Sequence, residues 1–341
     1  MSIKHKPNIT IKTNKLKYNI QHSFDLCKGK SIDLAVVSKS ICADSRIMEI
    51  IEESCVSTIA DSRLDNFKKF TTTKTKLLIR PCTPFEVDEV IDLCDISFQS
   101  NIETVKALCK AASAKGVTHK VLIMLDIGDM RDGIYHTDRD TILTLADYIH
   151  HSQNLLLAGI AANYNCFKGL LPTEENMGIL ADIKHMLEPY YDVDQPIVSG
   201  GTSSSISLLK NDNITIPKEI TQFRIGEAIM LGRDPSDNSF IDGYETDVFT
   251  VNAPLIEVGE KPVDGKSMLR GILSIGKQDL VTEHLVPVDS NIKVLGSCSD
   301  EMILDLSNTS GYKTGDMVSF LPEYGALMSG FARVFINRIY E

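Results

Sequence analysis

The chain has 341 residues, which is long enough for one large domain and a smaller one. Its residues are 43% hydrophobic and 24% charged, an ordinary composition for a soluble globular protein. Its formal net charge of −11 disfavours nucleic-acid and anionic-membrane partners. No apolar stretch approaches the length of a membrane span, and the N-terminal residues MSIKHKPNITIKT lack the apolar core of a signal peptide. We therefore expect a cytoplasmic protein that binds neither nucleic acid nor membrane.

The eight cysteines are scattered along the chain and lie mostly in apolar contexts. They form no CxxC pair and no Cys/His spacing typical of zinc sites. Free, mainly buried thiols in a reducing compartment are the expectation, and no metal site is expected.

The first two thirds of the sequence alternate short apolar runs with helical segments. Eight runs have strand character: 34–37, 57–60, 77–79, 96–98, 121–125, 156–161, 196–198 and 222–225. Helices are predicted at 44–53, 84–93, 102–115, 137–151 and 173–188, with Ser45, Asn101 and Thr173 as N-caps. This alternation predicts an α/β protein with a (β/α)8 barrel over about residues 10–235. An open doubly wound sheet is the alternative, disfavoured because no GxGxxG follows the first strand.

The pattern changes after the turn-rich segment Asp234–Asn238. The remaining residues show strand-like runs at 248–251, 268–275, 292–294, 302–306, 317–320 and 332–336, separated by Gly, Pro, Asp and Asn. A smaller all-β domain is therefore expected at 236–341, either alone or together with an N-terminal strand within residues 1–12.

Lys39 follows the buried run 34–37 by two residues. A lysine at the mouth of a buried strand is partly desolvated, which lowers its pKa and favours Schiff-base formation. Taken alone, a lysine that extends to solvent or pairs with a carboxylate is the commoner case.

Two segments after later strands suit a phosphate group. In SGGTSSS (199–205), glycines allow close backbone approach and hydroxyls and amides follow at a helix start; RIGEAIMLGR (224–233) forms a similar corner. In a (β/α)8 barrel the loops after strands seven and eight commonly bind phosphate. Either segment alone also fits a surface turn or an ordinary helix. Combined with Lys39, however, they indicate a site for pyridoxal 5′-phosphate (PLP).

A set of segments spread along nearly the whole chain carries a family resemblance. They are AVVSKS, LDIGDMRDGI, AGIAANYNCFKGLLPT, VSGGTSSS, FRIGEAIMLGR, RGILSIGKQD, GSCSDEMILDL and EYGALMSG. With them the chain resembles PLP-dependent amino-acid racemases of the alanine racemase fold, in particular the ornithine racemase-like branch. The resemblance implies a barrel, a β domain and a head-to-tail homodimer whose active sites are completed by the partner's β domain.

The resemblance also implies residue roles. Lys39 matches the lysine that binds PLP and serves as one racemisation base. Ser203, the backbone amides of Gly226 and Glu227, and the Tyr324 hydroxyl match phosphate ligands. Arg224 matches the arginine that faces the pyridine nitrogen, and Arg131 matches an arginine near the phenolic oxygen and the substrate.

Three positions depart from the alanine racemase pattern. Met124 stands where a carbamylated lysine orients the arginine matching Arg131, and Asn163 replaces a histidine that stacks on the cofactor ring. The tyrosine expected as the opposite base is absent from the stretch that contains Lys277. Lys277 and Cys298 are the candidates for that base, with a surface lysine and a buried structural cysteine as the alternatives.

The expected function is interconversion of the L- and D-forms of a free amino acid, most plausibly a basic one such as ornithine or lysine. Alanine racemase-type activity, decarboxylation by a related fold-type III enzyme and a non-catalytic PLP carrier remain alternatives. Asp300, Glu301 and Glu323 are candidate partners for a distal substrate ammonium.

Overall fold

The computed structural model describes residues 5–211 and 214–341. Eight parallel strands form a closed barrel in the order β2-β3-β4-β5-β6-β8-β9-β10, and β10 pairs back onto β2. They are β2 (Asp33–Val37), β3 (Thr58–Asp61), β4 (Thr75–Leu78), β5 (Ile96–Gln99), β6 (His119–Asp126), β8 (Leu155–Ala162), β9 (Ile197–Gly201) and β10 (Gln222–Ile225). The two-residue strand β7 (Ile134–Tyr135) extends β6. All eight predicted barrel strands are confirmed, and closure of the sheet excludes the open doubly wound alternative.

Burial on both faces explains why these strands can be predicted from the sequence. All residues of β3, β5 and β10 are buried, so neither face of the sheet meets solvent. Strands buried on both faces appear as unbroken apolar runs rather than as alternating patterns. One side of each strand fills the barrel interior, where Ala35, Phe98 and Leu122 belong to one apolar cluster.

Helices alternate with the barrel strands and cover them. The described helices are α1 (Thr13–Gly29), α2 (Ser45–Glu53), α3 (Leu64–Phe67), α4 (Val87–Leu93), α5 (Ile102–Lys115), α6 (Arg139–His150), α7 (Glu174–Met186), α8 (Ile206–Lys210), α9 (Glu227–Leu231) and α10 (Tyr324–Ala332). Asn101 caps α5 and Thr173 caps α7, as predicted. The N-cap of α2 is Asp44 rather than Ser45, because the Asp44 carboxylate accepts the Ile47 amide at 3.3 Å.

The second sheet contains strands from both ends of the chain. Its strands are β1 (Asn8–Ile11), β11 (Phe249–Val263), β12 (Lys266–Leu273), β13 (Leu285–Pro287), β14 (Lys293–Ser297), β15 (Met302–Asp305), β16 (Met317–Pro322) and β17 (Asn337–Tyr340). The order β13-β16-β11-β12-β15-β14 is antiparallel, and β1 pairs with β11 and, in parallel, with β17. An N-terminal strand within residues 1–12 was expected here; residues 1–4 of that range lie outside the described residues.

One helix interrupts this otherwise β region. Helix α10 was not predicted, and the strand expected at 332–336 is wrong, because the last strand is Asn337–Tyr340. Helix α10 packs against the 3-10 turn Lys39–Ile41 that follows β2. The second sheet therefore contacts the barrel beside Lys39.

The C-terminal strand also holds the loop that follows Lys39. Asp44 accepts a hydrogen bond from the Tyr340 hydroxyl at 2.6 Å and from Arg338 Nη1 at 3.1 Å. Cys42 and Ala43, just before Asp44, both adopt positive φ angles. These contacts fix a sharply turned loop against the second sheet. Across residues 5–211 and 214–341, no helix combines the length and apolarity needed to cross a membrane.

Candidate active site

A cavity of about 330 Å³ opens at the C-terminal ends of the barrel strands. Eight of the ten predicted site residues line it: Lys39, Arg131, Asn163, Ser203, Arg224, Gly226, Glu227 and Tyr324. The other lining residues are Val37, Ser62, Ile79, Tyr164, Asn165, Cys166, Thr202 and Pro235. The cavity therefore assembles side chains from the loops after β2, β6, β8, β9 and β10.

Lys39 begins the 3-10 turn at the end of β2, and its side chain is largely enclosed by the cavity walls. Burial lowers the pKa of its ammonium, and the nearby Arg131 guanidinium lowers it further, although Cys166, Asp61 and Glu227 act in the opposite direction. Among the described residues, the Lys39 ammonium has no ion-pair or hydrogen-bond partner, unlike the solvent-exposed or carboxylate-paired lysine of the alternative interpretation. Its amine is therefore available within the cavity.

A buried carboxylate supports the backbone before Lys39. Asp61, at the end of β3, accepts hydrogen bonds from the Ser38 hydroxyl at 2.7 Å, the Arg63 amide at 2.9 Å and Asn66 Nδ2 at 3.1 Å. Burial raises the pKa of Asp61, and these donors oppose the rise. Asp61 belongs to none of the predicted site motifs, and its only signal in the sequence is an acidic residue at the end of a buried strand.

Arg224 lies across the base of the cavity and is almost completely buried. Its Nη1 donates to the Ser199 carbonyl at 2.8 Å and the Ser199 hydroxyl at 2.6 Å, and its Nη2 donates to the Ala162 carbonyl at 2.7 Å. Burial lowers the pKa of Arg224 to about 10, so the guanidinium stays protonated at neutral pH. Four bonds thus hold a permanent cation in one orientation, the fourth being to Asn163 Oδ1 at 3.1 Å.

Asp132 connects the two arginines of the cavity: it contacts Arg131 directly and Arg224 through Asn163. Its Oδ1 accepts Asn163 Nδ2 at 2.8 Å and lies 3.2 Å from Arg131 Nε. Because Arg224 donates to Asn163 Oδ1, the amide nitrogen of Asn163 must face Asp132. The sequence left open what orients Arg131 when Met124 replaces a charged residue. Met124 is fully buried, and Asp132 supplies the adjacent carboxylate.

Two further aspartates shape the loops that carry these residues. Asp126 Oδ1 accepts the Gly128 amide at 2.9 Å and the Met130 amide at 3.0 Å in the turn before Arg131. Asp129 is buried, and its carboxylate accepts backbone amides from the loop after β8, those of residues 166, 167, 168 and 170. The loops after β6 and β8 are therefore tied together.

The two predicted phosphate corners meet at Ser203. Its hydroxyl accepts the backbone amides of Gly226 and Ala228, each at 3.2 Å. A Cβ on Gly226 would lie 3.0 Å from Val37 Cβ, and one on Gly201 would lie 2.1 Å from the Phe223 ring. Glycine at both positions thus lets the backbones approach closely, leaving amide and hydroxyl donors grouped at the cavity wall.

Glu227 and Tyr324 complete the wall beside Lys39. Burial raises the pKa of Glu227 to about 7, although Lys39 and Arg233 oppose the shift. Burial also raises the pKa of Tyr324, and the Glu227 charge contributes, so the hydroxyl stays protonated. Tyr324 begins α10 and brings the C-terminal region into the cavity of its own chain.

Lys277 and Cys298 lie together but do not line this cavity. The Lys277 amide donates to the Cys298 carbonyl at 2.9 Å, and both residues are exposed. Lys277 Nζ lies 2.7 Å from Glu283. The alternative of a buried structural cysteine at Cys298 is wrong, because that thiol is exposed. Among the described residues, no group of three or more His, Cys, Asp or Glu side chains is placed to hold a metal ion.

Comparison with known proteins identifies the family. The model of the alanine racemase N-terminal domain matches residues 11–234. The chain belongs to the alanine racemase family. The chain is 36% identical to ornithine racemase from Acetoanaerobium sticklandii over 97% of this chain and 99% of that protein. It is 29% identical to lysine racemase from Thermotoga maritima, with 98% of both chains covered. In fold it resembles alanine racemase from Streptomyces coelicolor A3(2), with a TM-score of 0.79, 15% identity, and coverage of 99% of this chain and 98% of that one.

Proposed function

We propose that the protein is a PLP-dependent racemase that interconverts the L- and D-forms of a free basic amino acid, ornithine or lysine. The observation that carries the proposal is the cavity in which the Lys39 amine, without an ion-pair partner among the described residues, shares the walls with Arg224 and the Ser203 corner. Full-length similarity to proteins named ornithine racemase and lysine racemase supports a basic substrate.

The donor set of the cavity fits PLP. Three cationic side chains, Lys39, Arg131 and Arg224, outnumber the single carboxylate of Glu227 among the lining residues, which favours an anionic ligand. The Ser203 hydroxyl accepts the Gly226 and Ala228 amides, which leaves its own hydrogen and the intervening Glu227 amide as neutral donors for a phosphate. The buried Tyr164 hydroxyl, which has no hydrogen-bond partner among the described residues, leaves a further donor in the wall.

Each residue then has a defined task. PLP, when bound, withdraws electrons from the substrate Cα and so acidifies its proton. Lys39 holds the cofactor covalently and takes or returns the Cα proton on its own face. Arg224 keeps a proton that it cannot transfer, so beside the cofactor ring it would hold the pyridine nitrogen without protonating it, which would favour return of the Cα proton over side reactions. Arg131, oriented by Asp132, offers a cation to the substrate carboxylate.

The second proton-transfer group is proposed to come from a partner subunit. Racemisation needs an acid or base on both faces of Cα, and Lys39 can serve only one of them. We propose a head-to-tail homodimer in which the β domain (236–341, with the N-terminal strand) delivers Lys277 or Cys298 to the partner's barrel (10–235). Exposed apolar side chains on the loops flanking the cavity support this interface: Met130, Phe167 and Leu171.

A cytoplasmic location is part of the proposal. All eight cysteines are free, three of them buried, which suits a reducing compartment.

The test is a panel of L- and D-amino acids incubated with the PLP-loaded enzyme in deuterium oxide. Deuterium uptake at Cα with inversion of ornithine or lysine supports the proposal. Inversion of alanine alone would establish alanine racemase-type activity instead. Release of CO2 would indicate a decarboxylase, and absence of any exchange would indicate a PLP carrier.

A further inference from the structure

A basic amino acid carries a second ammonium at the end of its side chain. Enclosing that charge in a cavity is unfavourable unless an anionic or strongly polar partner meets it. A racemase specific for ornithine or lysine therefore needs an acceptor for the distal ammonium, and this inference rests on the proposed function.

Glu227 is the one carboxylate among the described residues that line the cavity. It is the first residue of α9, directly after Gly226, and its side chain is close enough to Lys39 and Tyr324 for each to affect the other's titration. Among the described ion pairs and hydrogen bonds, none uses the Glu227 carboxylate. The carboxylate is thus an uncommitted acceptor in the wall of the cavity that also contains Lys39.

The other acidic candidates are less suitable. Glu323 already lies 3.1 Å from His284 Nδ1 and accepts Asn238 Nδ2 at 2.6 Å. Asp300 and Glu301 belong to the turn between β14 and β15 and lie outside the cavity of their own chain, so they would reach a substrate only across the proposed dimer interface. Asp132, outside the lining set, is occupied by Arg131 and Asn163.

We infer that the Glu227 carboxylate binds the distal ammonium of the substrate and selects basic over neutral amino acids. This role belongs to the side chain of Glu227. Its backbone amide, the proposed phosphate donor, is still present in the Gln and Asp variants. A charge-assisted hydrogen bond in this enclosed position is among the stronger kinds in proteins.

A pH effect follows from the surroundings of Glu227. Burial is the largest cause of its raised pKa, Lys39 and Arg233 lower it, and Asp234 and Glu323 raise it. With a pKa of about 7, the carboxyl is increasingly neutral as the pH falls below that value. The KM for ornithine and lysine should therefore rise as the pH is lowered through 7, whereas the KM for neutral isosteres should not follow this titration.

The experiment compares Glu227→Gln with the wild-type holoenzyme on L-ornithine and L-lysine and on their uncharged analogues L-norvaline and L-norleucine. For the basic substrates, kcat/KM should fall at least about 10-fold, mainly through KM, because a charge-assisted contact is lost. For the analogues it should fall much less, so that the ratio between the two substrate classes decreases. Glu227→Asp should recover part of the preference, and Glu323→Gln should leave the ratio between the two substrate classes unchanged.

The outcomes separate the two proposals. Equal losses on both substrate classes, or a loss of preference in Glu323→Gln instead, would overturn the role of Glu227 and leave the racemase intact. A wild-type enzyme that inverts neither basic amino acid would overturn both. If Glu227→Gln does not fold, the wild-type pH profiles decide: parallel KM profiles for ornithine and norvaline refute the inference.

Discussion

Three basic side chains line one cavity: Lys39, Arg131 and Arg224. Their surroundings differ in how far they bury and hydrogen-bond each group. Burial lowers the pKa of the Lys39 ammonium, while four hydrogen bonds keep Arg224 charged and immobile. A reactive amine and a permanent cation can thus coexist within one site. Desolvation lowers the pKa of the lysine, whose ammonium has no hydrogen bond to offset it, whereas the arginine remains protonated at neutral pH.

Lys39 should carry the cofactor. Borohydride reduction of the holoenzyme followed by peptide mass spectrometry should locate the PLP adduct on Lys39, because no other lysine among the described residues lines the cavity. Lys39→Ala should remain unlabelled, and Lys277→Ala should be labelled as in wild type. An adduct on another lysine in the wild-type protein would refute the assignment.

Asp132 should act as a positioning residue for Arg131. In Asp132→Asn, Arg131 loses its carboxylate and Asn163 loses a charged acceptor, so kcat/KM should fall by about 10-fold or more through misplacement of the substrate. The free energy of unfolding should change by less than about 1 kcal/mol, because the Arg131–Asp132 pair is partly exposed. Steady-state kinetics and thermal unfolding would check both values.

The matched control is Asp65→Asn, which removes an exposed carboxylate paired with Lys68 and should affect neither measurement appreciably. Unchanged kinetics in Asp132→Asn would show that Arg131 is oriented by other contacts.

At the residue scale, motifs predicted the members of the cavity but not their mutual contacts. Lys39 was recognisable because it follows a buried strand, and Arg224 because the segment FRIGEAIMLGR resembles the family. Asp132 stood within the recognised DMRDG segment, yet its bridging role depends on Asn163 coming from another loop. Such contacts between distant loops depend on the closed barrel and leave no local pattern in the sequence.

At the scale of the secondary-structure elements, the conformation of the loop after β8 depends on a single buried carboxylate. Four consecutive or nearly consecutive amides donate to Asp129, which belongs to the loop after β6. The loop itself has an exposed Phe167 and no regular structure, so its conformation is set mainly by these bonds.

Asp129→Asn should loosen this loop. An amide nitrogen would replace one acceptor oxygen and face backbone donors, which should lower the free energy of unfolding by about 1–3 kcal/mol. Cleavage by protease within 165–171 should become faster, and the affinity for PLP should fall. Thermal unfolding, timed proteolysis and PLP titration by absorbance would measure the three effects.

Asp305→Asn is the control, because that exposed carboxylate accepts only the Ser307 amide from the backbone and lies in the second sheet. Asp129→Asn with proteolysis identical to that of the control would contradict the role of the carboxylate.

The element predictions succeeded where burial was uniform and failed where it was not. The barrel strands are continuous apolar runs, whereas α10 contains Gly325 and Gly330 and is apolar around much of its surface. Without a polar face it shows no helical periodicity, and its packing on the Lys39 turn determines its conformation. The strand β17 is partly buried and contains Asn337 and Arg338, so its sequence lacks the apolar pattern placed at 332–336.

At the level of the whole molecule, the proposed dimer should share its active sites. When Lys39→Ala is mixed with Lys277→Ala or Cys298→Ala under conditions that exchange subunits, heterodimers should regain activity at one of their two sites. That site would combine an intact Lys39 barrel with the β domain of the other subunit.

Activity should recover in the mixture that contains the variant of the second base, whether that base is Lys277 or Cys298. Before mixing, Lys39→Ala and that variant should each be folded and inactive. Failure of both mixtures, or a fully active monomer in solution, would contradict a base supplied across the interface. Analytical ultracentrifugation would establish the oligomeric state in each case.

The position of β1 has a consequence for biosynthesis. Asn8 pairs with Asn252 on one side and with Asn337 on the other, so β1 belongs to a sheet whose other strands are translated only after the whole barrel. The barrel can close as soon as β10 emerges, while β1 keeps two unpaired edges. Completion of the second sheet, and with it the docking of α10 beside Lys39, therefore has to follow closure of the barrel and synthesis of β17.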